Sequence, residues 1–181
     1  MQEQTKSEGY SWIKSIVFAI LIALLCRHFL FSPTTVLGRS MSPTFEEKDK
    51  VLISKISDIE RFDMVVFDAP DANEKYIKRV IGIPGDTVEM QDDVLYINGK
   101  AMEEPYLDEI KNELIFDKLT GDFTLTEITG ESRVPNGFIF VMGDNRLYSK
   151  DSRFFGFVSE DAIMGEAKLR LFPFNKIGLL K

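Results

Sequence analysis

The chain has 181 residues, with 22 Lys and Arg against 29 Asp and Glu, a formal net charge of −7. That length allows one ordinary domain with something added, and an acidic balance without a basic block speaks against a nucleic-acid surface. A single Cys, Cys26, excludes an internal disulfide and a cysteine-rich zinc site, and a single His, His28, leaves triad, Cys-His and H-E-x-x-H chemistry one residue to share.

The first element is apolar. Ile16 to Cys26 carries no charge, Arg27 and His28 interrupt, and Phe29-Leu30-Phe31 continues. Trp12 to Phe31 is 20 residues, about 30 Å of helix and enough to cross a bilayer. Arg27 and His28 suit one interface and Trp12 the other. A cleaved signal peptide needs a small-residue cleavage site, which the segment after Cys26 does not offer. A half-exposed core helix is not apolar on every side. The expectation is therefore a short tail over 1–11, an uncleaved transmembrane anchor over 12–31 and a soluble domain over 32–181. Charge leaves the orientation open, because Lys6 and Lys14 precede the uncharged run Ile16 to Cys26 while Arg27, Arg39, Lys48 and Lys50 follow it.

Strand signals dominate the rest. Val51 to Ile53, Met64 to Phe67, Tyr76 to Ile83, Val94 to Ile97, Phe138 to Met142 and Lys168 to Phe172 are short β-branched or aromatic runs bounded by turn residues. Asn98-Gly99 predicts a tight hairpin, since both residues tolerate φ > 0. Ile83-Pro84-Gly85-Asp86 predicts a turn. Ser159 predicts the cap of one helical turn over Glu160 to Ile163. From about 103 to 131 the chain is acidic and weakly patterned, which reads as a loop-rich excursion. The fold class is mainly β.

Three segments hold groups capable of chemistry. Gly38-Arg39-Ser40-Met41-Ser42-Pro43-Thr44 places Ser40 in a Gly/Pro-bounded turn, where a hydroxyl and free backbone N–H groups serve nucleophilic attack and where an ordinary turn looks the same. Tyr76-Ile77-Lys78-Arg79-Val80-Ile81-Gly82 alternates as a strand, Lys78 sharing a face with Tyr76 and Val80, Arg79 with Ile77 and Ile81. Both faces mix basic and apolar residues, so a cation lies against apolar surface, where a lysine loses basicity; an edge strand with two solvated tips is the competing reading. Gly143 to Arg153 is dense in hydrogen-bonding groups and reads as a polar network supporting a site, or as a solvated loop. It is not a P-loop.

With no spare His, a serine hydrolase here needs another base, and Ser-Lys is a variant of the triad logic. Ser40-Met41-Ser42-Pro43-Thr44, Lys78 through Asp86, Gly143-Asp144-Asn145-Arg146, Ser149 through Arg153 and Phe155-Gly156, behind an N-terminal anchor, resemble the bacterial type I signal peptidase (leader peptidase) family in its short, single-anchor Gram-positive form. The resemblance implies a β-rich catalytic domain whose apolar surface sits against the outer leaflet. It implies a membrane-bound serine endopeptidase that removes signal peptides from secreted preproteins, cutting after small residues. Ser40 is then the nucleophile, Lys78 the general base and Ser149 the serine that hydrogen-bonds and orients that lysine. Asp151 and Arg153 are the polar pair that buttresses the site. The oxyanion falls to the Ser40 backbone N–H, with Gly38 standing where some members add a hydroxyl. The resemblance calls for no metal and no cofactor. The implied partners are signal peptides of exported preproteins, the lipid bilayer and a nearby secretion translocon, but no nucleic acid. It puts the chain in the plasma membrane as a single-pass protein, N-terminus cytoplasmic and catalytic domain outside. Phe62 departs from the family, which often has Gly before the Asp at that point, and is expected to affect packing but not chemistry. Two other readings compete: a self-cleaving Ser-Lys protease of the repressor type, and a membrane-anchored binding module that kept the fold and lost activity.

Overall fold

In the computed structural model, which describes residues 2–113 and 118–180, helix α1 (Gln2–Phe29) runs into β1 (Phe31–Thr35). The helix thus starts before Trp12 and stops at Phe29, so Phe31, expected to close the anchor, instead opens a strand. Its large side chains, among them Trp12, Ile16, Phe18, Leu21 and Leu25, are exposed. Among the described residues, no helix is long and apolar enough to cross a membrane.

The chain continues through β2 (Lys50–Ser54), β3 (Met64–Asp68), β4 (Lys75–Gly82), β5 (Val88–Gln91), β6 (Val94–Ile97) and β7 (Lys100–Met102). A short helix α2 (Asp108–Glu113), strand β8 (Phe123–Thr124) and helix α3 (Leu125–Thr129) follow, then β9 (Phe138–Met142), α4 (Ser152–Phe155), β10 (Val158–Ser159), β11 (Ile163–Phe172) and β12 (Gly178–Leu179). One antiparallel sheet has the order β1-β2-β11-β3-β4-β9-β10, with β12 on β11; a second has the order β7-β6-β5-β8.

The central strands are buried on both faces, which is why they read as unbroken apolar runs. Met64 and Val66 of β3 join Ile77 of β4 in a cluster with Val36, Met41, Phe45, Val51 and Ile53. Val65 and Phe67 face the other way, with Val80, Ile139, Val141 and Val158. A third cluster, built from Ile81, Phe140 and Met142 against Val88, Met90, Leu95 and Ile97, glues the small sheet to the large one.

Local signals hold where chemistry is local. Asn98 and Gly99 take φ of 53° and 74° between β6 and β7. Asp86 N–H donates to Ile83 O across the expected turn, and Ser159 caps a single 3-10 turn over Glu160–Ala162. The acidic excursion differs from expectation. It carries α2, β8 and α3, the last with a capping box between Thr124 and Glu127, and it sends Glu104, Leu107, Leu119, Thr120, Phe123 and Leu125 into the interior. Residues 114–117 of that stretch lie outside the described residues.

Candidate active site

Ser40 follows β1 in a turn where Gly38 has φ of 73° and open space in place of a Cβ. This left-handed backbone, which costs other residues about 1 kcal/mol or more, redirects the chain from β1 toward β4. Asn145 pins the turn from outside, its N–H donating to Ser40 O at 3.0 Å and its side-chain amide to Arg39 O at 3.0 Å. Ser40 itself is half-buried.

Lys78 lies in β4 directly across from Val65 of β3. Its Nζ donates to Ser40 Oγ at 2.6 Å and stands 5.0 Å from the Tyr76 ring centroid, on the face that strand alternation predicts. Only 3% of the residue is exposed. Burial drives its pKa from 10.5 down to about 8, against the pull of the Asp151, Asp144 and Asp71 carboxylates. Ser40 and Lys78 line an open cleft of about 300 Å³, with Leu37, Gly38 and Tyr148 among the other walls.

The segment after β9 wraps the pair from behind. Gly143 approaches so closely that a Cβ there would lie 2.2 Å from Ser149 Oγ and 2.3 Å from Ser40 O; only glycine fits. Ser149 is buried, and its Oγ has no hydrogen-bond partner among the described residues. The expected hydrogen bond between Ser149 and Lys78 is therefore not formed here; Lys78 Nζ meets Ser40 instead. Asp151 is wholly buried, accepts from Gly143 N–H at 2.9 Å, and takes a two-pronged ion pair from Arg153, Nε to Oδ1 and Nη2 to Oδ2, each at 2.8 Å. Arg153 Nη2 also donates to Arg146 O at 2.9 Å. This pair braces the loop through backbone groups and does not touch the dyad.

Sequence reasoning gave no role to the other face of β4. Arg79 donates through Nε and Nη2 to the two oxygens of Asp144, at 2.9 and 2.6 Å, and through Nη1 to Phe62 O at 2.9 Å. Thr44, four residues after the serine, donates to the same Asp144 at 2.5 Å. Phe62 has φ of 74°, a left-handed conformation that glycine adopts without strain; its ring tilts against Tyr106 at 6.1 Å. The sequence signals for this network were the doubled cation Lys78-Arg79 and the polar density of Gly143 to Arg153, neither of which says that Arg79 and Asp144 pair.

A buried amine of lowered basicity, in hydrogen-bond contact with a turn-borne hydroxyl, is the equipment of a Ser-Lys nucleophile. The model of the family described as signal peptidase, peptidase S26, matches residues 10–172. Signal peptidase I of Bacillus caldolyticus is 46% identical over 180 residues, 97% of each chain. Signal peptidase I T of Bacillus subtilis (strain 168) is 47% identical over 173 residues, 92% of this chain and 86% of that one. The crystal structure of a signal peptidase I from Enterococcus faecalis V583 is 45% identical and covers 61% of this chain and 97% of its own, with a TM-score of 0.60. Sequence and fold agree: this chain belongs to the signal peptidase family, peptidase S26, and is a signal peptidase I.

Proposed function

We propose that this chain is a membrane-anchored serine endopeptidase that removes signal peptides from exported preproteins, with Ser40 as nucleophile and Lys78 as base. The observation that carries the reading is the 2.6 Å contact between the buried Lys78 Nζ and Ser40 Oγ. At a pH above about 8 the amine is neutral. It takes the Ser40 proton as Oγ attacks the scissile carbonyl, and returns that proton to the leaving amine. Water then hydrolyses the acyl-enzyme with the same lysine as base. The Ser40 N–H and the open backbone at Gly38 are the donors offered to the oxyanion. Ser149 Oγ, unpartnered beside the pair, is available to hold the lysine once the proton has moved. Asp151 and Arg153 keep that serine's loop in place.

Anchoring is supported by α1, whose large apolar side chains, Trp12, Ile16, Phe18, Leu21 and Leu25 among them, stand exposed, a state lipid relieves and water does not. The N-terminus then lies in the cytoplasm and the catalytic domain outside, near the secretion translocon. Leu37, Phe172 and Phe174 are exposed at the sheet end where Thr35 and Phe172 flank Lys50, in keeping with an apolar rim against the outer leaflet.

The test is cleavage of a preprotein by the full chain in detergent, with the new N-terminus sequenced. Wild type should cut after a small residue, while Ser40→Ala and Lys78→Ala, folded as judged by melting, should not. The kcat should rise about tenfold per pH unit toward pH 8 and level above it, since the protonated amine is inactive. Efficient cutting by Lys78→Ala sinks the mechanism, and an inert wild type leaves the binding module of the same fold as the reading to pursue.

A further inference from the structure

Three side chains of the acidic excursion reach inward to the back of the site. Glu104 is buried and forms an ion pair with Arg146 Nη2. Tyr106 donates its hydroxyl to the same Glu104 oxygen at 2.7 Å and lays its ring under the Arg79 guanidinium, 3.9 Å from centroid to Cζ. Arg146 Nη1 donates to Thr120 Oγ1 at 3.4 Å. The excursion therefore supplies one carboxylate and one ring to two buried guanidiniums.

Each guanidinium is one step from the reacting pair. Arg79 follows Lys78 in β4. Arg146 Nε donates to Gly143 O at 3.1 Å, and Gly143 is the residue wedged against Ser40 O and Ser149 Oγ. Two buried cations beside one ring need two carboxylates, and the site has one for each: Asp144 for Arg79 and Glu104 for Arg146. Asp144 also acts on Arg146 electrostatically. Without the Glu104 charge, Arg146 and Arg79 compete for Asp144, which Thr44 ties to the nucleophile turn.

We propose that Glu104 and Tyr106 are positioning residues of the Ser40–Lys78 pair, holding Arg146 and Arg79 so that the loop carrying Ser149 and the strand carrying Lys78 keep their places. This rests on the peptidase reading above. The acidic excursion is then the rear support of the catalytic wall.

The experiment compares the full chain in detergent with Glu104→Gln, Tyr106→Phe and, as a control, Glu103→Gln, whose carboxylate is exposed. Two readouts are taken: kcat and KM for a preprotein, per acylatable Ser40, and the pH midpoint of Lys78 amine labelling, followed by mass spectrometry. Glu104→Gln should lower kcat by about 10- to 100-fold with KM unchanged, the size expected for misplaced reacting groups. Its labelling midpoint should depart from wild type, while Glu103→Gln matches wild type in both. Tyr106→Phe, which keeps the ring, should lose less than Glu104→Gln. A purely structural role lowers the melting temperature and the active fraction, and leaves the labelling midpoint of the folded molecules unmoved; an unmoved midpoint overturns the proposal. If wild type cuts nothing yet the midpoint moves in Glu104→Gln, the peptidase reading fails and the positioning role stands.

Discussion

Lys78 and Arg79 are consecutive cations on β4, 3% and 2% exposed, and their two sides of the strand are built in opposite ways. On the Arg79 side a carboxylate, a carbonyl and an aromatic ring meet the guanidinium. On the Lys78 side the neighbours are Val65, Tyr76 and a hydroxyl, and among the described residues no ion pair joins the ammonium. Burial without a counter-charge makes a cation easy to deprotonate, and burial with one makes it permanent. The strand thus carries an amine that gives up its proton readily and a permanently charged structural bolt at adjacent positions, and the face decides which is which.

Exchanging the two characters breaks this comparison most severely. Lys78→Arg keeps a cation beside Ser40 but removes the ability to lose its proton at working pH. Cleavage should fall by about 1,000-fold or more, and raising the pH should not restore it. The check is single-turnover cleavage of a preprotein between neutral and alkaline pH. Recovery of rate at alkaline pH in this variant would mean that the lysine is not the base.

Removing the bolt should cost stability before chemistry. Asp144→Ala strands the Arg79 charge in the interior and takes a partner from Thr44, a loss of about 3–5 kcal/mol for a buried pair broken on one side. Melting in the same detergent should show it directly. The milder Asp144→Asn sharpens the point, because Asp144 is one of the carboxylates that hold the Lys78 pKa up. In whatever fraction stays folded, the rising limb of kcat should move to lower pH. A limb that moves to higher pH would show that Asp144 sets hydration, not charge, around the lysine.

How legible an element is in the sequence follows how far its causes lie from each other along the chain. The β6–β7 hairpin is written in two residues, Asn98 and Gly99, and is legible. β1 is not, because Pro33 argues against a strand; as an edge strand paired with β2 alone, it tolerates the missing donor. β11 is legible only from Lys168, since its first half, with Gly165 and Glu166, has no strand pattern of its own and exists because β3 lies beside it. At the site, Ser40 and Lys78 stand out as motif residues. Ser149 does too, but its hydroxyl waits beside the pair without bonding the lysine. The supports are invisible for a physical reason: Arg79 meets Asp144 across 65 positions and Arg146 meets Glu104 across 42. A single sequence has no local signal for an ion pair at such range.

The smallest expected effect tests the Lys78 side alone. A lysine whose pKa falls from 10.5 unfolded to about 8 folded opposes folding by about 3 kcal/mol while both states are protonated. The folded state releases its proton first, so between pH 8 and 10.5 the unfolded state binds more protons and stability rises with pH. The penalty is complete below pH 8 and gone above 10.5. Lys78→Met, which fills the same space without a charge, should therefore be more stable than wild type near neutral pH, with the gap closing by about 3 kcal/mol as pH rises through that window. Denaturant midpoints at three pH values measure it. A gap that stays constant with pH would mean that Lys78 keeps an ordinary pKa in the fold, and the distinction between the two faces of β4 would then rest on position alone.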